Sequence, residues 1–369
     1  MKNLRFEIQQ ILLENSKIDK WDVPKDYFSW GRDPRHTIDN TEKMPEPKRK
    51  MSTSLKRLVL RVLRKISGKP SVLSRFDKDY SDFEETYQLM TNRSSKRLFA
   101  ELILIKIIGE NKMRLSSFTK NYVESYESAS EEILKSNKTL KVYKWILRKV
   151  TLNNPSVSMF TTPIVLALHK AKRLYSYHSD EVSVGVQKGD IVIDAGVGWG
   201  DTTVYLASLA GQESGGWSYA FDILEEGMNA LKEQCKQNEE LKNITPVLKA
   251  LSDKDNESVN ITSPSPGARV TNEETGSTLQ TITIDTYFKE QGLKKVDFIK
   301  MDIEGAEVPA LKGASETIKS FKPRLAISVY HKWDDLLVIP KLIHNLRHDY
   351  EFYLDCTTGF GGEVVLYCK

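Results

Sequence analysis

Between residues 191 and 201 the chain reads Ile191-Val192-Ile193-Asp194-Ala195-Gly196-Val197-Gly198-Trp199-Gly200-Asp201. An apolar run that ends in an acid, meets closely spaced glycines and continues into a helical stretch at about 202–209 predicts a buried strand turning tightly into a helix. The pattern recurs downstream. Apolar runs at 217–221, 244–250, 296–301 and 325–330 alternate with helical patterns, the clearest at 225–237. Such alternation builds a parallel sheet buried on both faces. The end differs, because runs at 350–356 and 364–368 flank Thr357-Thr358-Gly359-Phe360-Gly361-Gly362, a hairpin signal. The expected fold class is α/β, a Rossmann-like seven-stranded sheet with an antiparallel last strand, preceded by a mainly helical N-terminal region.

Three regions separate by pattern. Residues 1–80 are a charged, loop-rich extension punctuated by Pro24, Pro34, Pro45, Pro47 and Pro70. Residues 81–181 read as helical: Leu98, Leu102, Ile105 and Ile108 mark one helix, and 131–150 a second with Trp145 and Ile146 near its end. Residues 182–369 form the sheet domain, with a polar excursion at 252–280 before a helix at Thr286 that Asp285 caps. Ten basic residues and no acid stand between Lys48 and Arg75, although the whole chain is only +4, so the remainder is net acidic. Within that segment Leu55, Leu58, Val59, Val62, Leu63 and Ile66 recur at helical spacing. This basic helix at 52–66 has three uses open to it: packing on the helical region, peripheral contact with an anionic membrane, or binding an anionic acceptor.

Apolar residues at 40% and charged residues at 28% exclude a disordered or collagen-like chain. The most apolar stretch, 98–108, is too short to span a bilayer, and residues 1–7 carry no apolar signal region. Cys235, Cys356 and Cys368 form no Cys-x-x-Cys pair. The expected localisation is cytoplasmic, with peripheral contact at the inner face of the membrane through 52–66 as its one membrane role.

The glycines occupy the first, third and fifth positions of their loop, and the sixth, which a dinucleotide fingerprint requires as glycine, is Asp201. In this form, with Asp194 ending the strand, the segment resembles motif I of class I S-adenosylmethionine methyltransferases. That cofactor has no pyrophosphate, so a third close-packing glycine is not required, and its zwitterionic methionine part suits an acid and loop backbone groups. Asp222, ending the second strand, can accept both ribose hydroxyls; a helix N-cap is its competing role. Asp253 stands where an adenine-amino contact is expected, with turn chemistry as the alternative. The expected cofactor set is Asp194, Gly196, Gly198, Trp199, Gly200, Thr202, Asp222, Ser252 and Asp253, and Tyr177 and His178 could fold over it.

With these anchors in hand, the C-terminal half resembles the FkbM family of methyltransferases. The most specific stretch is Asp297-Phe298-Ile299-Lys300-Met301-Asp302-Ile303-Glu304-Gly305-Ala306-Glu307, followed by Ala310-Leu311-Lys312-Gly313-Ala314. Thr283-Ile284-Asp285-Thr286-Tyr287-Phe288 and Ser328-Val329-Tyr330-His331-Lys332 support it. The resemblance covers 182–369, extends more weakly over 84–181 and is absent over 1–80. It departs at Trp199, bulkier than the family pattern, and at Asp222, where many members carry Glu. It implies the class I methyltransferase fold, S-adenosyl-L-methionine as cofactor, and methyl transfer usually to a hydroxyl of a sugar, polysaccharide precursor or secondary metabolite. A methyltransferase fold that has lost catalysis and acts as a membrane-associated scaffold is the competing class.

Methyl transfer to an alcohol needs in-line alignment and a base for the hydroxyl proton. Open α/β sheets bind ligands at the carboxyl ends of their strands. Asp302 and Glu304 follow the fourth strand there, and His331 ends the fifth, where a histidine can serve as base near neutral pH. These three are the expected catalytic residues, with Glu307 a weaker candidate and helix N-terminal acids as the bland alternative. The acids are also compatible with a divalent cation such as Mg, since related macrolide and aminocoumarin sugar O-methyltransferases carry a magnesium-binding acid after this strand. The remaining histidines show no metal-ligand spacing. The expected partner is a small-molecule or glycan acceptor. No nucleic-acid partner is expected, and a homo-oligomer is compatible with the sequence.

Overall fold

The computed structural model describes residues 4–15, 80–108, 115–117, 120–143, 145–171, 174–262, 267–271, 273–358 and 361–369. The basic segment at 52–66 lies outside the described residues. The chain divides into two compact units, one of residues 1–118 with 356–362 and the other of 119–355 with 363–369.

The first unit contains helices α1 (Leu4–Asn15), α2 (Tyr80–Leu89) and α3 (Arg93–Ile108). Asn92 caps α3 by accepting the Ser95 amide at 2.9 Å, and Leu98, Phe99, Leu102 and Ile103 bury the apolar stripe. Buried Glu101 is satisfied by Arg97 at 2.9 Å and by the amide and hydroxyl of Ser116.

The second unit is built on a seven-stranded sheet. Its strands are β1 (Ile191–Ala195), β2 (Trp217–Asp222), β3 (Ile244–Leu248), β4 (Phe298–Met301), β5 (Arg324–Ser328), β6 (Phe352–Cys356) and β7 (Val364–Cys368). Their spatial order is 3-2-1-4-5-7-6. Strands β1 to β5 pair in parallel, and β7 runs antiparallel to β5, with Leu325 opposite Cys368. The central strands β1 and β4 are almost wholly buried, which is why they read as apolar runs interrupted only by Asp194 and Lys300. Pro246 sits in β3, the edge strand, where a missing N–H costs no ladder bond.

Around the sheet lie helices α4 (Lys120–Leu134), α5 (Pro163–Lys170), α6 (Asp201–Ala210), α7 (Glu225–Lys236), α8 (Ile284–Glu290), α9 (Glu307–Lys312), α10 (Ser315–Phe321) and α11 (Asp335–Leu346). Among the described residues no helix is long and apolar enough to cross a membrane. The cap of α8 is Thr283, whose side chain accepts from the Thr286 amide at 3.0 Å. Asp285, expected to cap that helix, instead accepts the amides of Glu316 and Thr317 at the start of α10. After β3, strands 258–261, 270–271 and 278–282 join 250–251 in a small sheet.

One expectation fails outright. Residues 131–150 are not a helix: α4 ends at Leu134, and strands Thr139–Val142, Trp145–Asn153 and Ser156–Thr161 form an antiparallel meander. The alternation of buried Trp145 and Leu147 with exposed Ile146 is a period of two, and Asn153-Asn154-Pro155 is turn chemistry. The meander is docked on α7 by paired amides. Buried Gln234 accepts the Phe160 amide at 2.8 Å and donates to the Phe160 carbonyl at 2.7 Å, and Asn238 repeats the arrangement with Ser158 at 2.8 and 2.7 Å.

Candidate active site

The three glycines of the β1–α6 turn have different work. All have positive φ, at 90°, 57° and 78° for Gly196, Gly198 and Gly200. A Cβ on Gly196 would lie 1.9 Å from the Asp302 carbonyl oxygen, and one on Gly200 2.8 Å from the Leu231 Cα. Gly196 therefore lets the β1 and β4 loops touch, and Gly200 lets α7 approach. Gly198 alone faces open space, with nothing within 4 Å of its Cβ position. It is the point where a ligand can meet the loop backbone.

Asp194 does not face that space. It is completely buried, pairs with Lys300 Nζ at 3.1 Å and accepts the Thr203 hydroxyl at 2.6 Å. Lys300, 2% exposed on β4, also donates to the carbonyls of Ala195 and Gly196. The acid expected to hold the methionine part thus holds the loop from beneath, through a buried strand lysine. Trp199 likewise turns away from the expected ligand. Its ring is buried against Val142, Trp145, Leu147 and Phe160, with the Trp145 ring centroid 6.0 Å away. The meander explains the bulk of Trp199: it supplies the apolar wall this side chain fills. Thr202 and Asp201 begin α6, where buried Asp201 accepts the Thr161 hydroxyl at 2.6 Å and the Thr202 amide at 2.9 Å.

Asp222 meets the loop directly. One carboxylate oxygen accepts the Gly198 amide at 3.0 Å and the other the Leu224 amide at 2.9 Å. Burial pushes its carboxyl upward, against these hydrogen bonds. Each oxygen retains a lone pair, so both can still accept from a diol. Past Asp222 opens a cavity of about 660 Å³ lined by Ile223, Leu224, Leu248 and, from the meander, Val142 and Tyr143. Ser252 borders a second cavity of about 260 Å³ with Glu304, Gly305, Ala306, His331 and Lys332, whereas Asp253 is exposed beside Ser252.

The structure brings Asp302, Glu304 and His331 together. His331 Nε2 lies 3.2 Å from Asp302 and 3.7 Å from Glu304, and Nδ1 lies 2.9 Å from Glu307. Burial alone would lower the imidazole pKa, but Asp302 and Glu307 outweigh it and push it up to about 11. Burial would raise the Asp302 carboxyl, but His331, Lys300 and Tyr175 outweigh it and hold it well below the carboxylate range. Flanked by Asp302 and Glu307, His331 favours its protonated form, which argues against its reading as a base at neutral pH. Asp302 also accepts the hydroxyls of Tyr175 at 2.7 Å and Tyr330 at 3.2 Å. Tyr175, not Tyr177, reaches the site: Tyr177 stacks on Tyr353 with ring centroids 5.1 Å apart. Tyr175 carried no sequence signal beyond its place before β1.

Asp302, Glu307 and His331 offer donor atoms within 4.8 Å of one another. They do not fit magnesium, which prefers an all-oxygen shell with several waters. Glu304, by contrast, adopts φ of 55° without being glycine, and its side chain stays 28% exposed at the second cavity. Strain of this kind persists where a side chain must be aimed.

The charge on His331 carries a pH signature. Because the folded imidazole titrates above its unfolded value of about 6.5, its contribution to stability is complete below that value. That contribution is lost as pH rises toward about 11. His331→Gln should therefore flatten the fall in melting temperature between roughly pH 7 and 10, followed by circular dichroism. An unaltered slope would contradict the buried imidazolium.

Residues 183–352 match the Methyltransferase FkbM domain family. Among solved structures the chain is similar to Methyltransferase FkbM from Methylobacillus flagellatus KT, at 18% identity and a TM-score of 0.50, covering 80% of this chain and 60% of that one. Aeropyrum pernix fibrillarin, solved with natively bound S-adenosyl-L-methionine, is 13% identical with a TM-score of 0.38, covering 62% of this chain and 84% of that one. No curated protein matches the chain. Over residues 183–352 the chain carries a domain of the FkbM methyltransferase family.

Proposed function

We propose that the protein is an S-adenosylmethionine-dependent O-methyltransferase acting on a hydroxyl of a sugar, glycan precursor or secondary metabolite. The observation that carries this reading is the Asp222 carboxylate gripped by the Gly198 and Leu224 amides, where Gly198, of the three loop glycines, faces open space. That pair fits a ribose diol next to a loop-bound amino-acid tail. Asp201 argues against a dinucleotide, because its buried carboxyl occupies the α6 N-terminus where a pyrophosphate would need positive potential.

Bound there, the cofactor supplies an electrophilic methyl group whose transfer leaves a neutral thioether. Gly198 and Asp222 hold and orient it. Glu304 takes the acceptor's proton as the new O–C bond forms, since it is the carboxylate that opens on the 260 Å³ cavity. Asp302 is committed to two tyrosine hydroxyls and His331, and His331 is already protonated, so neither can take that proton. Their part is to fix the β4 and β5 ends around the acceptor. Incubation with methyl-labelled S-adenosylmethionine and a panel of nucleotide sugars, glycans and hydroxylated metabolites tests the reading. Label should appear in an alkali-stable ether; label confined to carboxyl esters or amines would overturn O-methylation.

A further inference from the structure

We propose that Tyr143, on the meander outside the family-matched region, is a cofactor-binding residue whose hydroxyl donates to the ribose that Asp222 also holds. The proposal rests on the S-adenosylmethionine reading and extends it to a part of the chain that the family match leaves out.

Tyr143 stands in the two-residue turn between strands Thr139–Val142 and Trp145–Asn153, with Val142 paired to Trp145. Such turns demand positive φ and favour Asn or Gly. Tyr143 adopts φ of 53° nonetheless. A bulky aromatic in left-handed backbone costs about 1 kcal/mol or more, so its side chain must repay the strain. The turn is clamped in place, because the Tyr143 amide donates to Glu226 Oε1 on α7 at 2.7 Å.

Tyr143 lines the 660 Å³ cavity together with Ile223, Leu224 and Leu248, and Leu248 is the β3 residue in register with Asp222. The Tyr143 hydroxyl is buried and has no hydrogen-bond partner among the described residues. A buried phenol O–H left unpaired is costly, so a partner is expected to arrive with a ligand. Burial first, then the charges of Glu226 and Asp222, push the phenol above its usual range. It therefore stays protonated and is a donor at any physiological pH. A cavity of mixed polar and apolar lining that begins at Ile223, next to the Asp222 carboxylate, and carries the Tyr143 phenol as a donor suits a nucleoside's sugar edge.

The test is titration calorimetry of the full chain with S-adenosylhomocysteine and with an analogue lacking both ribose hydroxyls. Tyr143→Phe should bind S-adenosylhomocysteine about five- to tenfold more weakly, the effect of one hydrogen bond. With the analogue, wild type and Tyr143→Phe should bind equally. Tyr143→Asn suits the turn's backbone and keeps the hairpin, and should lose at least as much affinity as the Phe variant. Unchanged affinity of Tyr143→Phe for S-adenosylhomocysteine would overturn the proposal alone. So would a loss that persists with the analogue, which would mark a packing role. Failure of the wild type to bind S-adenosylhomocysteine would overturn both the proposal and the cofactor reading beneath it.

Discussion

Replacing Lys300 with methionine is expected to destabilise the protein by about 3–5 kcal/mol, measured by denaturant unfolding at neutral pH. Methionine matches the length of the lysine stem, so the change isolates the charge. Its ammonium is 2% exposed, and Asp194 beside it is completely buried. Without Lys300 the Asp194 carboxylate keeps, among the described residues, only the Thr203 hydroxyl, and the carbonyls of Ala195 and Gly196 lose a shared donor. Adding Asp194→Asn to Lys300→Met removes the stranded charge and should recover part of the loss, because residues in contact do not add independently. A Lys300→Met protein as stable as wild type would show that the loop does not depend on this pair.

Glu304→Gln is expected to lower kcat by about 10²–10⁴-fold, the usual worth of a positioned base, once an acceptor is in hand. S-adenosylhomocysteine affinity should stay within about twofold, because Glu304 borders the 260 Å³ cavity and not the space beside Gly198 and Asp222. The amide keeps the size of the carboxylate but cannot take a proton. Full activity in the variant would move the base elsewhere. A fall in cofactor affinity as large as the fall in kcat would make Glu304 part of the cofactor site.

The sheet is legible in the sequence because its strands are buried on both faces and its turns carry glycine. Runs such as Phe298-Ile299 and Leu325-Ala326-Ile327 can do little else. Asp222, Glu304 and His331 are legible by position, since strand ends in such a sheet are where ligands bind. What the pattern hides is pairing. Nothing local distinguishes Lys300, buried on Asp194, from a solvated lysine, and nothing reveals that His331 lies between two carboxylates. The charge state of His331, and so its chemistry, is a tertiary property. The meander is hidden for a different reason: helix-compatible Lys, Leu and Arg residues mask the two-residue alternation around Trp145, and tertiary contacts with Gln234 and Asn238 decide the outcome. The place of Trp199 is hidden with it, because the meander supplies the wall its ring packs on.

Titration calorimetry with S-adenosylhomocysteine, in wild type and Asp222→Ala, tests the central claim most directly. Asp222 receives the Gly198 and Leu224 amides and is expected to receive the ribose diol as well, a charge-assisted bidentate contact. Wild type should bind one S-adenosylhomocysteine per chain, and Asp222→Ala should bind about tenfold or more weakly. Tight binding of NAD by wild type, with none of S-adenosylhomocysteine, would contradict the account.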